Sequence, residues 1–340
     1  MILLYILMVI IGFSFLIIIH ELGHFIMARV NGVKVEQFSL GMGPKIFGIK
    51  GKETEYLIKA LPIGGYIKML GEEEKVDAKN SFTTKTPLQK LSIVAAGPIM
   101  NLIIAVLLFS IFTANVGYQV PVVDKVESGY PAAEELQNGD KIVKVNGSSV
   151  ISWDDFSTIV YTNKGNNLNI QFIRNGITKS VDIKPKYDDG QKRYIIGITA
   201  KYVQNPNVFQ SLNHGFIETK SIAVQTFDVF GNIFKGKVSK DDIGGPVTIA
   251  KMSVAVAKAG ILNFIFFLAY ISLQLAIFNL LPIPALDGGW IFFLLIEIIT
   301  RRKIDDNKMG IINYIGFSLL MALMVLVTIK DIIYPISIPK

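Results

Sequence analysis

The chain has 340 residues, 51% of them apolar, with 34 Lys and Arg against 27 Asp and Glu and no cysteine. That composition, gathered into long uncharged runs, argues for an integral membrane protein rather than one water-soluble globule; the missing cysteines exclude disulfides, thiolate ligands and a thiol nucleophile. The formal charge of +7 is read as topology-setting, because Lys and Arg gather in loops between apolar runs, and no nucleic-acid partner is expected.

The first apolar span runs from about Ile2 to Arg29. A cleaved signal peptide is the competing reading, but the run lacks a basic start, is long, and has no small-residue cleavage site. The span carries His20-Glu21-Leu22-Gly23-His24 near its end. Ionisable groups at membrane depth are costly and mark a functional site by default. Next, Glu55 to Met69 reads as two short strands around a Pro/Gly turn. Such a piece fits strand addition to an extended peptide and a hairpin packed on the helix bundle equally well. The acidic run Glu72-Glu73-Glu74 reads as a solvated loop.

A second span covers Leu91 to Thr113. From Tyr118 to about Ala200 the pattern turns soluble, with short strands at Val120–Val126, Lys141–Val145, Leu168–Ile173, Ser180–Ile183 and Tyr194–Ile198. One helix is expected to start at the Ser152 cap. Asn207 to Lys258 alternates amphipathic helical pieces with Gly244-Gly245-Pro246 and reads as surface-lying helices returning to the membrane. A third span, Ile261 to Leu281, is followed by the loop Pro282 to Gly289, and a fourth runs from Ile311 to Ile329. Between them Trp290 to Ile299, interrupted by Glu297, is too short to span and is placed at the interface or inside the bundle.

Arg29, Lys34, Lys45, Lys50, Lys52, Lys85 and Lys90 lie between spans one and two, and Arg301, Arg302, Lys303 and Lys308 between three and four. Those loops are therefore expected to be cytoplasmic, with both termini and the strand-rich domain outside. The expected divisions are the first span, 1–30; a cytoplasmic loop with a membrane-associated hairpin, 31–90; the second span, 91–114; the outer domain, 115–202; outer amphipathic helices, 203–259; the third span and its loop, 260–289; and an interfacial helix with the fourth span, 290–340.

Residues four apart share a helix face, so His20 and His24 can reach one cation while Glu21 points beside it. Without cysteine, any metal must be held by His, Asp or Glu, and zinc suits two imidazoles with a third protein ligand and one open position. Counting ~1.5 Å per residue puts His20 about 28 Å along its helix, near the cytoplasmic end of the hydrocarbon. The third span reaches that depth at Asn279 to Leu281, so Asp287 can meet the histidines. Glu297 remains a second choice, and His214 belongs on the opposite side. Two prolines and Gly288-Gly289 imply an irregular loop, which at this depth must be buried in protein or line a wet cavity. Hydrolysis of a peptide bond by a cation-activated water, with Glu21 as general base, is the chemistry this set suits.

These residues resemble the site-2 protease family, in particular its bacterial regulator-of-sigma-E protease branch. The likeness rests on His20-Glu21-Leu22-Gly23-His24, on Asn279 to Gly289, on Leu61 to Met69, on Gly97-Pro98-Ile99-Met100-Asn101 and on Gly244-Gly245-Pro246. It implies a multi-pass α-helical membrane protein with about four transmembrane helices. It further implies an inserted extracytoplasmic PDZ-like α+β domain and a cytoplasmic membrane-associated β-hairpin. By the same resemblance His20, His24 and Asp287 hold Zn2+ and Glu21 is catalytic, while Asn279, Asn101, Gly64, Gly65 and Pro284 contact or position substrate. Trp290 departs from the polar residue that many relatives carry there. The implied activity is zinc-dependent intramembrane proteolysis in a bacterial inner membrane. Its substrates would be single-span proteins, such as anti-sigma factor or signal-peptide remnants, already cut by an upstream site-1-type protease. A membrane adaptor with a decayed site and a metal transporter are the alternatives. The intact His, Glu, His and Asp set argues against the first, and ligand candidates confined to one depth argue against the second.

Overall fold

Apolar runs in lipid satisfy their backbone polar groups only within themselves, which favours helices. In the computed structural model, which describes residues 2–72, 76–236 and 244–335, four helices among the described residues are long and apolar enough to cross a membrane. In chain order the elements begin with α1 (Ile2–Val30), β1 (Val35–Lys50), β2 (Glu55–Met69) and α2 (Pro87–Val116). There follow β3 (Tyr118–Val126), β4 (Lys141–Val145), β5 (Ser148–Ser149), α3 (Trp153–Thr162), β6 (Leu168–Arg174), β7 (Ile177–Ile183), β8 (Lys186–Asp188), β9 (Arg193–Ile195) and β10 (Ile198–Val203). The chain ends with α4 (Val208–Phe234), α5 (Pro246–Ala259), α6 (Ile261–Leu280), α7 (Asp287–Thr300) and α8 (Asp306–Ile333). Glu73 and Glu74 of the acidic run, and residues 237–243 of the amphipathic stretch, lie outside the described residues.

Two compact units form, Met1–Leu108 with Asn232–Lys340, and Phe109–Gly231. In the first unit, Leu16 of α1 is buried with Ala257 of α5 and Phe264, Phe267 and Leu268 of α6. A second cluster joins Ala28 of α1, Val35, Ile67 and Met69 of the sheet, Ile93 and Val94 of α2 and Leu294 of α7. At Gly23 the crossing of α1 over α2 brings backbone to backbone, since a Cβ there would fall on the carbonyl of Ala96 and 2.8 Å from Met100 Cγ. Helix α5 begins at Gly245, which has no side chain to cap it. Asp331 of α8 does this from outside, its Oδ2 accepting from the N–H groups of Gly245 and Thr248, both at 2.9 Å.

The β1–β2 sheet corrects the expected hairpin. Glu55 to Met69 does hold two short strand segments around a Pro/Gly bend, but they do not pair with each other. Residues 35–40 run between them, Phe38 pairing with Ile67 on one side and Tyr56 on the other, while residues 45–50 pair with 55–59. The bends fall at Gly41, Gly43 and Gly64, with φ of 83°, 88° and 80°. Residues 65–69 are therefore an edge, with no further strand beside them among the described residues.

In the second unit the strand order is β10-β3-β4-β6-β7. Its core gathers Val123, Ile142, Val145, Phe156, Leu168, Ile170, Phe172 and Ile183. Ser152 caps α3 reciprocally with Asp155 in a capping box. The strand expected at Tyr194–Ile198 is divided. Gly197 there takes φ 82°, and any Cβ would press on the Tyr130 side chain.

Candidate active site

Helix α1 presents His20, Glu21 and His24, and the first turn of α7 presents Asp287. The loop before α7 turns at Ala285, whose φ is 74°, and not at the two glycines. Gly288 and Gly289 are instead helical and buried. A Cβ on Gly288 would strike the carbonyl of Leu281, and one on Gly289 would lie 2.7 Å from that of Ile283, so glycine is what lets α7 start against the end of α6. On the far side, Pro284 sits against Gly316 of α8, and Asn313 Oδ1 accepts from the Ala285 N–H at 3.3 Å.

The donor atoms converge. One donor atom from each of His20, His24 and Asp287 lies within 4.8 Å of the others. The two Nε2 atoms face each other at 3.3 Å, and Asp287 Oδ2 is 3.1 Å from that of His20 and 3.5 Å from that of His24. Asp287 Oδ2 is buried without a hydrogen-bond partner. Lone pairs crowded this way are stabilised by a shared cation, so the chemistry of the set fits zinc.

The outer ring nitrogens are held by α2. His24 Nδ1 meets the Ile93 carbonyl at 2.9 Å, so Nδ1 carries the proton and Nε2 presents its lone pair inward. Pro98 lacks the N–H that would pair in the same turn of α2. Asn101 Nδ2 lies 3.2 Å from His20 Nδ1, while its Oδ1 is buried with no partner. Turning the amide over, which changes no shape, puts Oδ1 on the ring as acceptor from Nδ1–H and turns the lone pair of His20 Nε2 inward too. Asn101 is 1% exposed and its backbone carbonyl accepts from Ser272. Gly97, one turn earlier on α2, leaves room for both rings: a Cβ there would lie 2.6 Å from His24 Cε1 and 2.8 Å from His20 Cε1.

The three residues and Glu21 open on a cavity of about 340 Å³. Its other walls include Gly65, Tyr66, Ile67 and Met69 of the outer strand, and Trp290. Gly65 approaches so closely that a Cβ would fall on Glu21 Cγ and 3.0 Å from its Cδ. Gly64 bends the strand beside it. Asn279, in the last turn of α6, and Pro284 do not line this cavity. Pro284 lines an apolar hollow with Ile283, Ile312, Ile315 and Leu319.

The two other candidates for a third ligand are engaged elsewhere. Glu297 Oε1 accepts from the Ile304 N–H at 2.8 Å, closing the turn after α7. His214, in the second unit, stacks on Tyr118 with ring centroids 4.1 Å apart, and burial lowers its pKa to about 4. No spacing or composition signal points to the roles of Gly97 and Asn101 toward the rings, although both stand in the stretch that carries the family likeness.

Residues 8–323 match the model of Peptidase family M50. A Clostridium acetobutylicum relative with a provisional zinc metalloprotease name is 47% identical, covering 96% of this chain and 97% of its own. The zinc metalloprotease RasP of Bacillus licheniformis is 30% identical, covering 94% of this chain and 96% of its own. Among solved structures, the PDZ domain of an SdrC-like protein from Listeria monocytogenes is 29% identical with a TM-score of 0.23, covering 25% of this chain and 90% of that one.

Proposed function

The chain belongs to peptidase family M50 and is a zinc metalloendopeptidase of the membrane, and from that premise we propose that it cleaves within the transmembrane segments of single-span membrane proteins. The reading is carried by one observation: two imidazoles and a carboxylate converge beside Glu21 in a cavity walled by apolar helices and an outer strand. In this reading His20, His24 and Asp287 hold the zinc, with Ile93 and Asn101 fixing the ring tautomers. When bound, zinc supplies a Lewis acid that polarises the scissile carbonyl and makes water easier to deprotonate. Glu21 takes the proton from the attacking water and passes it to the leaving nitrogen.

A helical substrate hides its carbonyls in internal hydrogen bonds and must unwind to be cut. Residues 65–69 form the outer strand of their sheet along the same cavity, and an extended segment added beside it replaces the hydrogen bonds that unwinding breaks. The second unit is read as PDZ-like, the membrane as a bacterial inner membrane, and the termini as extracytoplasmic. The substrates are remnants, of anti-sigma factors or signal peptides, left by an upstream site-1-type protease. Co-expression of wild type and Glu21→Gln with a panel of single-span proteins tests this. Substrates persist only with the variant; a Glu21→Gln protein, purified free of other proteases, that still cleaves them overturns the reading.

A further inference from the structure

The cavity beside the candidate metal ligands is walled by two unlike sets of residues. One set is polar, where His20, Glu21, His24 and Asp287 meet. The other is apolar and holds Ile67 and Met69 of β2, Phe82, Ile93 and Val94 of α2, and Trp290 of α7. All of these but Trp290 are buried members of one packed cluster, so that wall keeps its shape.

Trp290 is only half-buried. It stands three residues after Asp287 and four before Leu294, so the three share one face of α7. Leu294 is buried in the same cluster, and Trp290 packs against that cluster too. The indole is thus held as the wall next to the third ligand. Across the cavity, Gly65, Ile67 and Met69 are alternate residues of the outer strand. An extended chain turns successive side chains to opposite faces. A segment added beside that strand, with its scissile bond at the metal ligands, therefore directs one of every two side chains toward the apolar wall.

Resting on the active-site reading above, we propose that Trp290 sets the specificity of cleavage: the apolar wall forms the subsite for a residue adjoining the scissile bond, and the indole limits it to aliphatic side chains. The cavity of about 340 Å³ must also take the cation, a water and the backbone of the segment. One water alone claims roughly 30 Å³. The remaining space beside the indole admits a branched aliphatic group and refuses a fused ring.

Hydroxamates chelate zinc and can carry one chosen side chain, so they probe this subsite without turnover. Two series are titrated by calorimetry into the full-length, zinc-loaded protein. N-acetyl amino-acid hydroxamates place the side chain on the acyl side of the chelating group, and succinyl hydroxamates place it on the amine side. Each series carries methyl, isobutyl and naphthylmethyl groups, with acetohydroxamate as the control that has none. In the wild type the isobutyl member of one series should bind about tenfold or more tightly than its naphthylmethyl member. Trp290→Phe should narrow that gap and Trp290→Ala should reverse it, with acetohydroxamate binding alike to all three proteins. The chain has two tryptophans, so in Trp153→Phe the emission comes from Trp290 alone; the isobutyl compound should shift it and acetohydroxamate should not. An unchanged ranking in Trp290→Ala across both series overturns the proposal alone. Loss of acetohydroxamate binding from Trp290→Ala also overturns it, by assigning the indole to support of the metal site. A wild type that binds none of the compounds overturns the active-site reading and the proposal with it.

Discussion

Gly97→Ala asks whether the α2 backbone sets the positions of the two histidines. The added methyl would fall on His24 Nε2 and stand 2.6 Å from His24 Cε1 and 2.8 Å from His20 Cε1, where ordinary contact begins at 3.4 Å, so the His20 ring must retreat by about 0.6 Å and the His24 ring by more than about 0.8 Å. Helix α2 cannot back away freely, because Gly23 packs its own backbone against Ala96 one residue earlier. Metal sites tolerate displacements of about 0.2 Å, and losing the support around a ligand costs roughly 10–100-fold in affinity. We expect the upper end of that range. Helix propensity works in the opposite direction, since alanine favours the helix by about 1 kcal/mol over glycine. Chelator competition on the purified protein, read beside its thermal unfolding, separates the two effects. Zinc binding should fall while the fold persists; unchanged affinity with full activity would refute the packing argument.

Asn101→Ala should weaken zinc about 10-fold or more by releasing the His20 tautomer, whereas Asn101→Asp, still an acceptor from Nδ1–H, should restore most of it. Equal binding by the alanine variant and wild type would show the contact to be idle. Prolines placed within residues 65–69 remove edge donors and should lower cleavage while zinc content stays level; so should Asn279→Ala, and matched loss of both quantities contradicts a substrate-holding role. Burial, then Asp154 and Asp155, raise the Glu218 pKa from 4.5 to about 7. A raised folded-state value means that its stabilising contribution is complete below 4.5 and is lost as pH rises through about 7. Glu218→Gln should therefore raise the unfolding temperature at pH 8 relative to wild type and not at pH 4, measured as paired melts.

Local signals were readable where both partners lie within a turn or where depth fixes the meeting. Ser152 and Asp155 are three apart, so the capping box announces itself. Asp287 is reachable by counting rise along two helices read as entering from the same side, and the structure brings it to the histidines. The first strand was not readable, because Gly41, Gly43, Pro44 and Gly48 in Val35–Lys50 look like a loop until the flanking segments pair with it. Gly288-Gly289 reads as a hinge, yet what requires glycine is the closeness of the Leu281 and Ile283 carbonyls, which no spacing rule reveals. Asp331 caps a helix that starts 86 residues earlier, and Asn101 reaches a ring 81 residues away. Contacts of that separation leave no periodic trace in a chain.

Diffraction from the full-length protein at the zinc absorption edge asks whether His20, His24 and Asp287 together grip a zinc ion beside Glu21. One anomalous peak bounded by these three side chains is expected, present also in Glu21→Gln. A protein that takes up no zinc, or a peak held by other residues, would contradict the account.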